Sequence, residues 1–298
     1  MAYADYHPSL DDPNAWVPYR YYPSVIAGAT FIALFVLVTI CHCALLGVRR
    51  TWFFTPFIVG GVFEFVGYIG RVVSAGDIWQ LGPFIVQSLL LLVAPALFAA
   101  SIYIILGRII AFVRGERYSI VPTRWLTKAF VAGDVVSFLL QMVGGGIQAA
   151  GTLSLFNLGE KIIIAGLFAQ VAFFGFFVVV AVSFHRRFVR YEEDAAREKP
   201  LWRRHLYALY AGSLLIMIRS VFRVVEYLMG NNGFLLRHEY FLYVFDAALM
   251  FLVMVLFLLV HPSQFTTLLV TEGERYPMRK KRRRRQPTSS RKRGQGFS

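Results

Sequence analysis

Charged side chains lie inside long apolar stretches of this 298-residue sequence, and their chemistry needs an explanation. Glu64 and Arg71 are two helical turns apart, so an α-helix would place them on one face. Arg219, Arg223 and Glu226 follow at helical intervals and would also share a face. A charge near the centre of a bilayer costs about 2.5 to 3.5 kcal/mol, so each group needs a partner, a wet cavity or a function.

Four further polar residues occur in similar apolar surroundings: Gln87, Asp134, Gln141 and Asp246. Carboxylates can hold an ammonium group, and arginines bind phosphate or carboxylate groups. The complete set therefore has the chemistry to bind the charged part of a ligand.

A purely structural interpretation is open as well. The arginines at positions 71, 219 and 223 can pair with the acids Glu64, Glu226 and Asp246 and only hold the helices together. Ionisable residues inside membranes are functional by default, so both interpretations are kept.

The elements that carry these residues are long and apolar. Hydrophobic residues make up 57% of the sequence, charged residues 16%, and the mean hydropathy is +0.57, which is too apolar for an ordinary soluble domain. Seven stretches reach the length of about 20 residues that a spanning helix needs. They are 22–47, 53–74, 82–113, 126–148, 162–184, 205–229 and 240–260. The predicted fold class is an all-α integral membrane protein, a bundle of seven transmembrane helices.

The connections between these stretches alternate in charge. Of the 31 Lys and Arg residues, 24 fall in one alternate set of connections and the carboxyl-terminal tail, and 3 fall in the other set. Basic loops stay in the cytosol, which predicts the amino terminus outside and the carboxyl terminus inside. The chain is thus divided into an extracellular segment (1–21), a transmembrane domain (22–262) and a basic, disordered cytosolic tail (263–298).

This topology predicts a polar pocket that opens toward the outer leaflet. Helical rise places Asp246 about 10 Å below the outer end of the seventh stretch, and Asp134 about 12 Å from the cytosolic end of the fourth, beneath the pocket. Pro95 predicts a kink or extra tilt in the long third stretch. The three glycines at 144–146 permit close helix packing, which we favour, or local unwinding.

Motifs of several other protein classes are missing from the sequence. It has no phosphate-binding loop, no metal-ligand spacing among its His and Cys residues, and no Gly-x-Ser-x-Gly elbow. We therefore expect a protein that is not an enzyme and needs no cofactor or metal. The net charge of +14 does not indicate nucleic-acid binding, because the basic residues flank apolar stretches.

The tail contains an uninterrupted basic run, for which we expect contact with anionic lipid of the cytoplasmic leaflet. Each basic residue near such a surface contributes about 1 kcal/mol of attraction. The run consists of Arg279, Lys280, Lys281, Arg282, Arg283, Arg284 and Arg285.

An ordered series of motifs carries a resemblance to a known family. It includes Glu64-x-x-Gly67-Tyr68-x-x-Arg71, Ala94-Pro95, Gln141-x-x-Gly144-x-Gly146, Arg219-x-x-x-Arg223-x-x-Glu226, Tyr243-x-Phe245-Asp246 and His261-Pro262. From about residue 22 to residue 262 the chain resembles the fungal RTA-type lipid-translocating exporter family, which includes the sphingoid long-chain base exporter. The resemblance implies a fungal protein with seven spans and an amphipathic, lipid-like substrate. It does not fix that substrate, because relatives are also connected with porphyrin uptake and phospholipid asymmetry.

Residues and resemblance together predict a transporter or floppase for sphingoid long-chain bases or toxic lipophilic compounds, with a role in stress or drug resistance. Its partners would be membrane lipids and its substrate, and its location the plasma membrane. Without an ATP site, transport would run downhill, couple to protons or depend on a partner, and proton coupling would use Glu64 or Asp134, which lie deepest. The alternative is a seven-helix lipid receptor or stress sensor, although the Asp-Arg-Tyr and Asn-Pro-x-x-Tyr signatures of receptors are missing. An intramembrane lipid hydrolase lacks the ligand set it would need.

Overall fold

The computed structural model describes residues 9–10, 17–148, 153–192, 201–230 and 233–263, and this part of the chain is helical without a strand. It contains seven helices that are long and apolar enough to cross a membrane, which confirms the predicted fold class. They are α1 (Val25–Arg49), α2 (Thr55–Ser74), α3 (Leu81–Phe112), α4 (Thr123–Gln148), α5 (Leu153–Tyr191), α6 (Leu201–Leu228) and α7 (Glu239–Leu259). The protein is therefore an integral, multi-pass membrane protein.

The surface of the bundle is apolar where a soluble protein would be polar. Ile26 and Val48 of α1 are 82% and 83% exposed, and similar side chains face outward from the other helices. A bilayer solvates such a surface and water does not. Inside the bundle, aromatic rings such as Phe54, Phe57 and Phe98 are buried.

Helix α5 is much longer than the apolar stretch that predicted it. It has 39 residues, against the predicted stretch 162–184, and at 1.5 Å per residue it measures about 58 Å. The hydrocarbon core is about 30 Å thick, so α5 is longer than one crossing requires. Hydropathy marks only the part that touches lipid tails, whereas backbone hydrogen bonding continues through the polar ends.

Glycines bring α4 and α5 into close contact. A Cβ atom on Gly144 would lie 2.7 Å from the carbonyl oxygen of Gly159, so only glycine fits there. Gly145 and Gly146 differ from this neighbour, because a Cβ atom on either would meet nothing within 4 Å. The predicted close packing therefore describes Gly144, and the other two glycines leave open space.

Two local features shape the remaining spans. Helix α3 continues without interruption through the buried Pro95. Helix α7 contains a π-helical segment over Tyr243–Ala248, which includes Asp246. A π-helical turn changes the direction in which side chains leave the helix and is frequent at functional sites.

Candidate functional site

A cavity of about 400 Å³ lies between the helices at the end of the bundle where residues 17–21 pack; we call this the amino-terminal end. Six of the nine charged and amide residues that the sequence singled out line it: Arg71, Gln87, Gln141, Arg223, Glu226 and Asp246. Its apolar walls come from side chains such as Phe84, Leu92 and Ile163. The cavity thus combines charged groups with an apolar surface.

Arg71 is the centre of a buried cluster at the mouth of this cavity. Its side chain is 1% exposed, and it donates hydrogen bonds to Glu239 at 2.8 Å, Tyr21 at 2.7 Å and Tyr243 at 3.1 Å. Its acidic partner is therefore none of the three acids that the structural interpretation offered for pairing. Sequence analysis missed Glu239 as the partner because it lies just outside the predicted seventh stretch and looks like an interfacial residue.

The residues before α1 close over the same end. Tyr19 is buried and donates a hydrogen bond to Gln87 at 2.6 Å, and Tyr21 binds Arg71. Burial raises the pKa of Tyr21, an effect that Arg71 opposes, so the hydroxyl stays a neutral donor and acceptor. Tyr19 and Tyr21 therefore pack against the helices, although the predicted boundary at residue 21 assigns them to the extracellular segment. The only sequence signal was the aromatic character of positions 19, 21 and 22.

Arg219 and Asp246 form a buried ion pair between α6 and α7. The distance from Arg219 Nε to Asp246 Oδ1 is 2.6 Å, and both side chains are almost fully buried. Arg219 also donates to the carbonyl oxygen of Leu91 at 2.7 Å, which ties the pair to α3. Asp246 faces the cavity, whereas Arg219 stands behind it.

Arg223 and Glu226 form the second ion pair that α6 contributes to the cavity. Arg223 Nη1 lies 2.5 Å from Glu226 Oε2, as their spacing of three residues predicts. The guanidinium also lies 5.4 Å from the ring centroid of Tyr227. Arg223 Nε has no partner among the described residues, so this arginine keeps an unused donor in the cavity wall.

Glu64 stands apart from these pairs. It is 1% exposed, and neither carboxyl oxygen has a hydrogen-bond partner in the described part of the chain. The hydroxyl of Tyr68, one turn along α2, has no described partner either. Glu64 lies within electrostatic range of Asp246 and Arg219 but does not line the cavity. A buried carboxyl without partners is costly, so it needs a reason to be retained.

Asp134 is separate from the cavity, in the packed region of α3, α4 and α5. Its Oδ2 atom accepts a hydrogen bond from the buried Tyr103 at 2.9 Å. The Tyr103 ring packs against Phe177 with centroids 4.5 Å apart. Asp134 therefore has a local partner, and it is not among the residues that line the cavity above it.

Gln141 connects the cavity wall to α5. Its amide donates to Gln170 at 3.2 Å and to the carbonyl oxygen of Ser137 at 3.3 Å. Glu160 of α5 also lines the cavity, and the sequence analysis did not select it. It precedes the predicted start of the fifth span, and only the extended helix shows that it belongs to the bundle.

Metal chemistry receives no support from the described residues, which contain no group of three or more His, Cys, Asp or Glu side chains that could hold an ion. The basic run at 279–285 lies outside the described residues. Its contact with anionic lipid stays a prediction.

Comparison with known proteins places this architecture among membrane proteins of fungi. The family described as RTA1 like protein matches residues 57–268. Protoporphyrin uptake protein 1 of Saccharomyces cerevisiae is 37% identical over 283 residues, covering 82% of this chain and 91% of the relative. Protein RTA1 of the same species is 39% identical over 209 residues, covering 70% and 65%. The Sphingoid long-chain base transporter RSB1 of Saccharomyces cerevisiae is 28% identical over 278 residues, covering 81% of this chain and 72% of the relative. No solved structure matches the chain.

Proposed function

The chain belongs to the RTA1-like family, and on this basis we propose that it is a transporter that moves amphipathic, lipid-like molecules across the membrane. The names of two relatives support transport, one of protoporphyrin and one of sphingoid long-chain bases. Sphingoid bases or toxic lipophilic compounds are the substrates we propose here. Export at the plasma membrane, with the amino terminus outside, would then produce resistance to such compounds.

The observation that carries the proposal is the mixed lining of the 400 Å³ cavity. Its volume falls in the range of small-molecule sites, which are largely apolar with a few well-placed polar groups. A sphingoid base has the matching chemistry, since an ammonium head group needs an acid and an alkyl chain needs an apolar wall. Glu160 and Glu226 offer the acids, and Leu92 and Ile163 belong to the wall.

The ion pairs give the cavity a way to respond to its ligand. An ammonium group that approaches Glu226 competes with Arg223, which already has an unused Nε donor and the ring of Tyr227 beside it. Exchange of one cation for another keeps Glu226 neutralised throughout, so the carboxylate is never left alone in a poorly solvated site. The ligand would thus release Arg223 toward Tyr227.

Glu64 is the residue that we assign to proton coupling. It is buried, has no hydrogen-bond partner among the described residues and lies near the Arg219–Asp246 pair. When protonated it leaves Arg219 to Asp246; when ionised it competes with Asp246 for the same guanidinium. Asp134 is less suited to this task because Tyr103 already binds it.

The test is transport of a labelled sphingoid base by the purified protein in liposomes, with and without a pH gradient. We expect wild-type transport to respond to the gradient, and Glu226→Gln to reduce substrate movement at least tenfold. Asp77→Asn is a matched control, because Asp77 is an exposed acid at the same end of the bundle that does not line the cavity. Absence of transport by the wild type, with binding retained, would favour the lipid sensor over the transporter.

A further inference from the structure

A second cavity lies at the opposite end of the bundle, which we call the basic end. Its volume is about 410 Å³, and the residues around it are only arginines and tyrosines: Arg117, Tyr118, Arg186, Arg187, Arg190 and Tyr191. Arg117 and Tyr118 belong to the connection between α3 and α4, and the other four belong to the last turns of α5. None of these six residues lines the cavity at the amino-terminal end.

Specific contacts hold the two sides of this basic cavity together. Gly115 packs so closely on α5 that a Cβ atom there would lie 2.9 Å from the Phe184 ring. Tyr118 stacks on Tyr191, with centroids 5.8 Å apart and planes 6° from parallel. The Tyr118 hydroxyl also donates to Glu192 at 2.9 Å. These contacts fix the connection between α3 and α4 against the end of α5, and so they fix the positions from which the arginines extend.

Within the described residues, the charge of the cavity is largely uncompensated. Glu192 forms an ion pair with Arg117, at the edge of the cavity. Arg186, Arg187 and Arg190 form no ion pair with any acid in the described part of the chain, and all three are exposed. Membrane orientation requires basic residues near a helix end, but it does not require them to converge with two tyrosines around one space.

We propose that the basic cavity binds the phosphate-bearing head group of an anionic lipid in the adjacent leaflet. Guanidinium groups bind phosphate oxygens through paired hydrogen bonds, and several of them around one space favour a multiply charged phosphate. The position supports a lipid source: Phe184 and Phe188 are buried just beneath the arginines, and Tyr191 is 65% exposed at the end of α5. Tyrosine at this level is typical of the membrane interface.

The proposal identifies a site that is separate from the basic tail. Tail residues attract any anionic surface through charge alone, whereas the basic cavity has a fixed arrangement of arginines on two elements. Occupancy would join the connection between α3 and α4 to the end of α5. The phosphate would then act as a bridge between two elements that now meet through Tyr118 and Glu192.

The experiment measures binding by the purified full chain in detergent. The probes are dioctanoyl phosphatidylinositol 4-phosphate, dioctanoyl phosphatidylcholine and soluble inositol 1,4-bisphosphate. We expect the anionic lipid to bind and phosphatidylcholine not to bind. The variant Arg187→Gln/Arg190→Gln should weaken the anionic lipid about tenfold or more, because each lost charge-assisted hydrogen bond contributes strongly to binding.

The matched control is Arg124→Gln/Lys128→Gln, which removes two exposed charges from the same end but outside the cavity. It should stay within twofold of the wild type, and the tail is present in every variant, so its contribution cancels. Equal losses in the two double variants would show charge attraction alone and overturn the proposal. Equal affinity for the soluble bisphosphate would show a phosphate site that does not select lipids, and would overturn the lipid assignment.

A second variant separates binding from folding. Arg187→Lys/Arg190→Lys keeps both charges but removes the planar fork of each guanidinium. We expect it to elute as the wild type does on size exclusion and to bind the anionic lipid at least threefold more weakly. Wild-type affinity in this variant would contradict the proposed arginine recognition.

Discussion

Replacing Glu64 with methionine should stabilise the protein and at the same time remove its response to a proton gradient. Glu64 is 1% exposed, and both carboxyl oxygens lack a partner among the described residues. Methionine has a similar length and a flexible side chain that adapts to an existing space. The substitution therefore removes an unsatisfied polar group without opening a large cavity.

The expected size of the effect follows from the cost of burial. A buried polar group without a hydrogen bond costs about 1 to 3 kcal/mol, so Glu64→Met should raise the free energy of unfolding by that amount. The neighbouring acid Asp246 gives the opposite expectation. Asp246→Met would leave the buried Arg219 without its carboxylate and should cost about 3 to 5 kcal/mol. The two buried acids thus predict effects of opposite sign.

Unfolding in mixed micelles with increasing SDS, followed by tryptophan fluorescence, measures the stability change. The same preparations are then reconstituted in liposomes to measure sphingoid-base transport with and without a pH gradient. Glu64→Gln provides the control for shape, since it keeps the size of the side chain but cannot carry a proton. We expect both Glu64 variants to lose the dependence on the gradient.

Two results would refute this reasoning. If Glu64→Met destabilises the protein, the carboxyl group has a stabilising partner and the burial argument is wrong. If the variant is more stable but keeps its gradient-driven transport, the group is a structural cost without a role in coupling. Greater stability together with lost coupling is the combination that a structural role alone does not produce.

Three further predictions concern other parts of the bundle. Glu239→Gln should lower the free energy of unfolding by about 3 kcal/mol in the same assay, because it leaves the buried Arg71 without a counter-ion. This value is at the lower end for a broken buried pair, since Glu239 is 18% exposed. A loss under 1 kcal/mol would contradict this role. Gly144→Val should lower stability by about 2 kcal/mol or more, because its Cβ atom would meet a backbone oxygen of α5 at 2.7 Å, whereas Gly145→Ala should change little. Burial, with nearby positive charge, lowers the pKa of His261 to about 4, against about 6.5 unfolded, so the unfolded state binds more protons between these values. The contribution of neutral His261 to the free energy of unfolding should be fully present above pH 6.5 and should fall by about 1 to 3 kcal/mol as the pH approaches 4. Thermal unfolding of His261→Gln should therefore show a weaker pH dependence than that of the wild type.

The two cavities differ in how their charged side chains are paired. At the amino-terminal end, arginines and acids are paired around an apolar space, so a ligand there must exchange one partner for another. At the basic end, three arginines of α5 form no ion pair with an acid of the described residues. Under the two proposals, the first arrangement binds a substrate that enters and leaves, and the second binds a lipid that stays.

The sequence by itself determined the seven crossings and the charged and amide residues that lie within them. Spanning length, apolar composition and helical spacing are local properties, and an α-helix satisfies all of its backbone hydrogen bonds within one segment, as lipid requires. The pairing of Arg223 with Glu226 was also accessible, because both residues lie on one helix three positions apart. The polar ends of α5 could not be predicted in this way, because hydropathy identifies only the apolar part of a helix.

Only the tertiary structure decided which charges meet across helices. Arg71 binds Glu239, Arg219 binds Asp246, and Glu64 is left without a described partner. These choices depend on the rotation of each helix, on the π-helical turn that carries Asp246 and on glycine contacts that set helix distances. Such features arise from packing between distant segments, where several pairings of the same charges have similar local spacing. The space that remains between the packed helices is therefore a property of the bundle, and no single stretch of the sequence contains it.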